Sequence, residues 1–244
     1  MKVLVKLIFL LTMTTPAFAQ ADFKTEQLKF DRVSAAYEEK WNSLQEALRS
    51  AGIGRPFKLY MAAYKAEGKL ELWLKTNGQK THQLFRTYNF CAQSGILGPK
   101  VKEGDLQTPE GYYYLNVFNP KSSFHLSLGI SYPNQVDRFR SGKEKPGGEI
   151  YIHGNCVTVG CIPLTDDKIR EVYVLAVEAK NAGQDQIPVH IFPFKMTAGN
   201  LNTYLKQFPA HRAFWTNLQT GYAYFEKNHM IPVLSEKSGR YLFK

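Results

Sequence analysis

From Phe57 to Phe90 apolar residues recur at every second position, and the run is interrupted at Glu67-Gly68 and Asn77-Gly78. A period of two sends alternate side chains to opposite faces of a sheet, and Asn-Gly is a strong hairpin signal, so the stretch predicts three strands in a meander. In the second strand Leu70, Leu72 and Leu74 share one face, with Glu71, Trp73 and Lys75 on the other. Further strands are expected at Tyr112 to Phe118, Phe124 to Ile130, Glu149 to His153 and Ile187 to Phe194. Helical spacing joins Phe30, Val33, Tyr37, Trp41, Leu44 and Leu48 in an N-terminal buttress stopped by Gly52 and Gly54. A second stripe, Ile169, Val172, Tyr173, Ala176 and Val177, begins at Thr165-Asp166-Asp167 and stops at Asn181 to Gly183. The last fifty residues carry aromatics at helical spacings and predict a packed α-helical tail. The fold class is therefore mainly β with flanking helices, α+β. With 244 residues, 44% of them apolar, the chain can bury a core without metal or disulfide staples.

The first residues set the compartment. Lys2 and Lys6 precede the apolar run Leu7 to Thr15, and Pro16-Ala17-Phe18-Ala19 ends in an A-x-A pattern, which predicts a secretory signal over 1–19 and a periplasmic protein. The run is too short to span a bilayer and no later stretch supplies a membrane span. Loss of the leader leaves 29 basic residues against 21 acidic ones. That balance favours an anionic partner, and export argues against nucleic acid. No G-x-x-x-x-G-K-[ST], H-E-x-x-H or C-x-x-C pattern is present, and neither cofactor nor metal is expected.

Candidate chemistry gathers in Ile150 to Thr165. His153 ends a strand, Cys156 and Cys161 lie in a Gly-containing loop, and a helix start follows. A thiol nucleophile suits this pattern: His153 can take the proton of Cys161, while Gly160 and the following helix N-terminus can lower the thiol pKa and stabilise an oxyanion. Three other arrangements compete. Cys161 and His153 can simply be packed core residues, Cys156 and Cys161 can form a disulfide, or His153, Cys91, Cys156 and Cys161 can hold structural zinc. Three cysteines in an exported chain leave an odd one, and a Cys91 to Cys156 bridge would leave Cys161 free.

These residues resemble the YkuD-type L,D-transpeptidase family. Its hallmark is a His-Gly at a strand end followed by a Ser-His-Gly-Cys loop, and this chain has His153-Gly154 and then Thr158-Val159-Gly160-Cys161. Leu70-Glu71-Leu72-Trp73, Gly98-Pro99-Lys100, Gly104-Asp105, Thr108-Pro109-Glu110-Gly111, Pro133-Asn134 and Asp137-Arg138 extend the likeness over roughly residues 57 to 194. Within the family the shortened His-to-Cys gap and the additional Cys resemble a periplasmic branch.

The resemblance implies a mixed β-sheet catalytic domain over 57–194, after an N-terminal helical segment at 20–56 and before the tail at 195–244. It implies acyl transfer at the L-centre of meso-diaminopimelate in peptidoglycan stem peptides, with Cys161 as nucleophile, His153 as base and the Gly154 carbonyl orienting the imidazole. Gly160 and Cys161 amides are the expected oxyanion donors. An amine acceptor makes a transpeptidase; water makes an endopeptidase or amidase, and the branch implies release of a murein-linked lipoprotein. Val159 replaces the family's second His and Pro163 the Arg that often follows the Cys, departures that tilt the expectation toward hydrolysis. Lys100 and Arg138, read as loop residues, are candidates for binding stem-peptide carboxylates. A different class of function, a peptidoglycan-binding module without catalysis, fits the same groove.

Overall fold

The computed structural model describes residues 22–244; the expected leader at 1–19 lies outside the described residues. The described residues begin with two helices, α1 (Phe23–Leu28) and α2 (Asp31–Ser50), and the break between them at Lys29-Phe30 falls where the predicted stripe begins. The strands are β1 (Phe57–Tyr64), β2 (Lys69–Thr76), β3 (Gln83–Asn89), β4 (Gly111–Asn119), β5 (Ser127–Ile130), β6 (Tyr151–His153), β7 (Ile162–Pro163) and β8 (Pro188–Phe192). They form one mixed sheet in the order β3-β2-β1-β8-β4-β5-β6-β7. Helix α3 (Gln135–Ser141) follows β5, and α4 (Asp166–Asn181) precedes β8. The tail holds α5 (Ala198–Gln207), α6 (Arg212–Asn228) and a two-stranded hairpin, β9 (Leu234–Lys237) with β10 (Arg240–Phe243), which the helical spacing did not predict.

The meander has the expected antiparallel register, Leu59 opposite Leu74 and Leu72 opposite Arg86. Its neighbour on the other side comes from far along the chain: β1 pairs in parallel with β8, Met61 opposite Val189. Alternation along β1 then feeds two cores. Leu59, Met61 and Ala63 pack with the α2 and α4 stripes, whereas Tyr60, Ala62 and Tyr64 pack with Trp215, Tyr222 and Phe225 of the tail. Because the tail covers the second face, Glu71 and Trp73 are buried although the alternation alone suggests a wet face. Glu71 is paid no desolvation debt unanswered: it accepts from Trp73 Nε1 at 3.0 Å and from Lys195 Nζ at 2.8 Å. Helix α3 is set by a capping box in which Asn134 and Asp137 cap each other's backbone amides.

Candidate active site

Strand β6 is held on both sides, antiparallel to β5 with Ser127 opposite His153, and parallel to β7 with Ile152 opposite Ile162. The loop 154–161 therefore leaves the end of β6 and returns beside its start, bringing Cys161 to the Tyr151 end of the strand. Two close approaches shape it. A side chain at Gly154 would stand 2.6 Å from Asp166 Oδ1 and 2.9 Å from the Phe124 carbonyl, and Asp166 also accepts the Asn155 amide at 2.8 Å. Gly160 has φ +101°, and a Cβ there would lie 2.7 Å from the Gln107 carbonyl.

His153 is buried, with Phe124 against its ring at 4.8 Å. Its Nδ1 is 2.6 Å from the Gly154 carbonyl. A carbonyl only accepts, so Nδ1 carries the proton and Nε2 keeps a lone pair. Burial lowers the imidazole pKa against the opposing effect of the Gly154 carbonyl, which leaves the ring neutral near pH 7.

Cys91 and Cys156 form a disulfide, and Cys161 is a free, half-buried thiol. This removes the Cys156–Cys161 bridge from the alternatives and takes two of the four ligands from the zinc set. The thiol donates to the Glu149 carbonyl at 3.6 Å, and no hydrogen bond joins it to His153. Burial raises its pKa, opposed by the Tyr151 amide and the positive charge of Lys100 and reinforced by Glu149. The expectation of a lowered thiol pKa is thus corrected: α4 starts five positions beyond Cys161, behind β7 and its own acidic first turn, and desolvation dominates.

Both expected oxyanion donors are already engaged. The Gly160 amide donates to Ser94 Oγ at 2.7 Å, and the Cys161 amide to Thr158 Oγ1 at 2.9 Å. Ser94 sits on the segment that follows Cys91, so the disulfide and the Ser94–Gly160 bond clamp this segment to the cysteine loop at two points. Cys161 opens into a cleft of about 220 Å³ lined by Lys65, Phe90, Ser94, Leu97 and Thr108.

Lys65, in the lining of that cleft, belongs to a buried ion pair. Lys65 Nζ donates to the carbonyls of Gly98 at 2.7 Å and Thr108 at 2.8 Å and to Glu110 Oε1 at 3.0 Å. Glu110 also accepts the Gly98 amide at 2.8 Å and Trp215 Nε1 at 2.8 Å, which ties helix α6 to the Gly98 segment. Ser94, Lys65 and Trp215 were not singled out from the sequence; the one available signal was the unpatterned loop from Ala92 to Gly111, whose length itself marks a functional segment.

The two predicted carboxylate binders are placed differently from expectation. Lys100 is buried, its Nζ 2.7 Å from Asp105 Oδ1 and 3.0 Å from the Lys102 carbonyl. Its ammonium is engaged by those two oxygens, and its positive charge opposes the burial-driven rise of the thiol pKa. Arg138 is exposed on α3, not in a loop, and lines a separate cavity of about 520 Å³ with Tyr112, Asn134 and Glu236, a lining that does not include Cys161. The sequence could not say which side of the sheet the Asp137-Arg138 patch would reach.

The sequence pattern of the L,D-transpeptidase catalytic domain, YkuD, matches residues 63–191. YafK of Escherichia coli strain K12 is 36% identical over 192 residues, 78% of this chain and 74% of that protein. Among solved structures, the K307A mutant of the helical cell shape determining protein Pgp2 from Campylobacter jejuni aligns over 69% of this chain with 22% identity and a TM-score of 0.45. The chain spans 59% of that Pgp2 chain. Bd1075 of Bdellovibrio bacteriovorus aligns over 58% of this chain and 50% of its own with 24% identity and a TM-score of 0.40.

Proposed function

Because the chain belongs to the YkuD family of L,D-transpeptidase catalytic domains, which act on peptidoglycan, we propose that it is an exported cysteine acyl-transfer enzyme that cleaves the amide at the L-centre of meso-diaminopimelate. The observation that carries this reading is a free thiol at the mouth of a cleft, with the other two cysteines joined to each other and a neutral imidazole held by its Nδ1 on the adjoining strand.

The chemistry follows in two steps. Cys161 gives its proton to His153 Nε2 and the sulfur attacks the carbonyl carbon, forming the C–S bond while the carbonyl electrons move to oxygen. The intermediate collapses, the C–N bond breaks, and the departing amine takes the proton from the imidazolium. Water or an amine, deprotonated by the same Nε2, then opens the thioester and frees the sulfur. Substrate binding has to break the thiol's bond to the Glu149 carbonyl and turn Sγ toward Nε2, since catalytic hydrogen bonds commonly tighten only when substrate is present. The Gly154 carbonyl keeps the tautomer that makes Nε2 the base, and Lys100 favours the thiolate.

With no imidazole at position 159, hydrolysis is the favoured outcome, and the peptide released from the diaminopimelate carbonyl is then the end of a murein-linked lipoprotein. Location in the periplasm, export by residues 1–19 and a catalytic unit bounded near 57 and 194 belong to the same proposal. Incubating intact sacculi with wild type and with Cys161→Ala, then weighing released and linked muropeptides, tests it. Loss of lipoprotein-bearing stems with wild type alone supports release, new direct cross-links support transfer to an amine, and identical profiles refute catalysis. One observation favours the second reading, a peptidoglycan-binding module: the thiol is bonded to a backbone carbonyl instead of the imidazole. Identical muropeptide profiles combined with sacculus binding would select that reading.

A further inference from the structure

The oxyanion of a cysteine acyl transfer needs donors that are vacant when substrate arrives. Here the two amides expected as donors are occupied, the Cys161 amide by Thr158 Oγ1 and the Gly160 amide by Ser94 Oγ. The two hydroxyls differ. Thr158 spends its proton on the Cys161 carbonyl at 3.0 Å, so it is closed at both ends. Ser94 Oγ accepts from Gly160, and its own proton has no acceptor among the described residues, although the side chain lines the cleft into which Cys161 opens. A hydroxyl whose oxygen already accepts a hydrogen bond is a stronger donor through its hydrogen, because each bond polarises the next. Its position is enforced twice, by the 2.7 Å bond to Gly160 and by the disulfide from Cys91, three residues earlier, to Cys156 in the cysteine loop.

We propose that the Ser94 hydroxyl, backed by the Gly160 amide, is the side-chain donor that the substrate carbonyl oxygen meets in this cleft. The inference rests on the reading of Cys161 as nucleophile. As the C–S bond forms and the carbonyl electrons pass to oxygen, Ser94 O–H donates to that oxygen without transferring its proton; when the C–N bond breaks the electrons return and the hydrogen bond weakens. A donor to the oxyanion is thereby supplied from a segment of the chain outside the cysteine loop.

The test uses the mature chain, a synthetic stem peptide carrying an amide on the L-centre of meso-diaminopimelate, and Ser94→Ala, Ser94→Gly and Ser94→Thr beside Cys161→Ala. Expected is a fall in kcat of about 10²- to 10³-fold for Ser94→Ala and Ser94→Gly, with KM within threefold of wild type. Ser94→Thr, which keeps the hydroxyl, should recover most of the rate. Alkylation of Cys161 by iodoacetamide has no oxyanion and should proceed at the wild-type rate in all three, which a merely structural role for Ser94 would not allow. Turnover within threefold of wild type in Ser94→Ala or Ser94→Gly, or a parallel loss of alkylation, overturns the role of Ser94 while leaving the nucleophile intact. Undiminished turnover by Cys161→Ala overturns the nucleophile reading itself.

Discussion

Replacing both partners of the Cys91–Cys156 bridge by serine is the perturbation whose size follows most directly from the structure. The bridge spans 65 positions in sequence, so it forbids the unfolded chain a large set of conformations in which the third strand and the cysteine loop lie far apart. Loop-closure entropy for a ring of that length is worth about 4 kcal/mol at 25 °C. The native state loses little in compensation, because Ser94 still holds Gly160, the Cys91 amide still reaches the Pro163 carbonyl at 3.1 Å, and β6 stays paired on both sides. Urea unfolding followed by tryptophan fluorescence should show a loss of about 4 kcal/mol, with a larger m-value for the uncrosslinked chain, and a Tm lower by about 8–16 °C. Under denaturing, non-reducing conditions the wild type should titrate one thiol. A loss below about 1 kcal/mol, or three reactive thiols in the unreduced wild type, would refute the reasoning.

Alkylation of Cys161 should rise with pH along a single ionisation placed above the ordinary thiol value, since burial raises it and no imidazolium is paired with it; fast alkylation at pH 5 would contradict this. Lys100→Met should slow alkylation at pH 7 by about threefold to tenfold by removing a fixed positive charge near the sulfur, whereas Arg138→Ala, outside the cleft, should leave turnover of the stem peptide within about twofold. Glu110→Ala strips a buried Lys65 of its counter-charge and orphans the Gly98 and Trp215 donors, so it should cost about 3–5 kcal/mol in urea unfolding; a loss under 1 kcal/mol would contradict this. Burial pushes the Asp137 carboxyl up to about 7 from an ordinary 3.8, so the folded state keeps a proton that the unfolded chain has released. Its stabilising effect is complete below about pH 4 and is lost as pH rises through 7, and Asp137→Asn should flatten that part of the stability profile.

What the sequence made legible was local. Asn77-Gly78 and the alternation from Phe57 fixed the meander, and Thr165-Asp166-Asp167 the start of α4, because each is decided by neighbours within a few residues. Helix α3 has only seven residues, too few for a stripe; its one signal was the Asn134…Asp137 capping pair. The closing hairpin was masked by surrounding aromatics, although Ser238-Gly239 marks its turn. In the site, His153 and Cys161 stood out because they share one short segment. Lys65, Glu110 and Trp215 meet across separations of 45 and 105 positions, and no periodicity reports a contact of that range. Lys100 was read as a free loop charge for the same reason: Asp105, which neutralises it, is near, but the burial of both is set by the whole fold.

The place of β8 between β1 and β4 has a consequence for how the molecule is made. β1 to β3 and β4 to β7 are two groups of neighbouring strands, and β8 satisfies the facing edge of each, parallel to β1 and antiparallel to β4. The Cys91–Cys156 disulfide, the Lys65–Glu110 ion pair and the α4 core also join the two groups, but their ladders meet only through residues 188–192. Closing the sheet therefore requires a parallel pairing between segments far apart in the chain, an intrinsically slow kind of contact to form. Loss of that one strand would open two sheet edges at once, each a template for pairing with another chain.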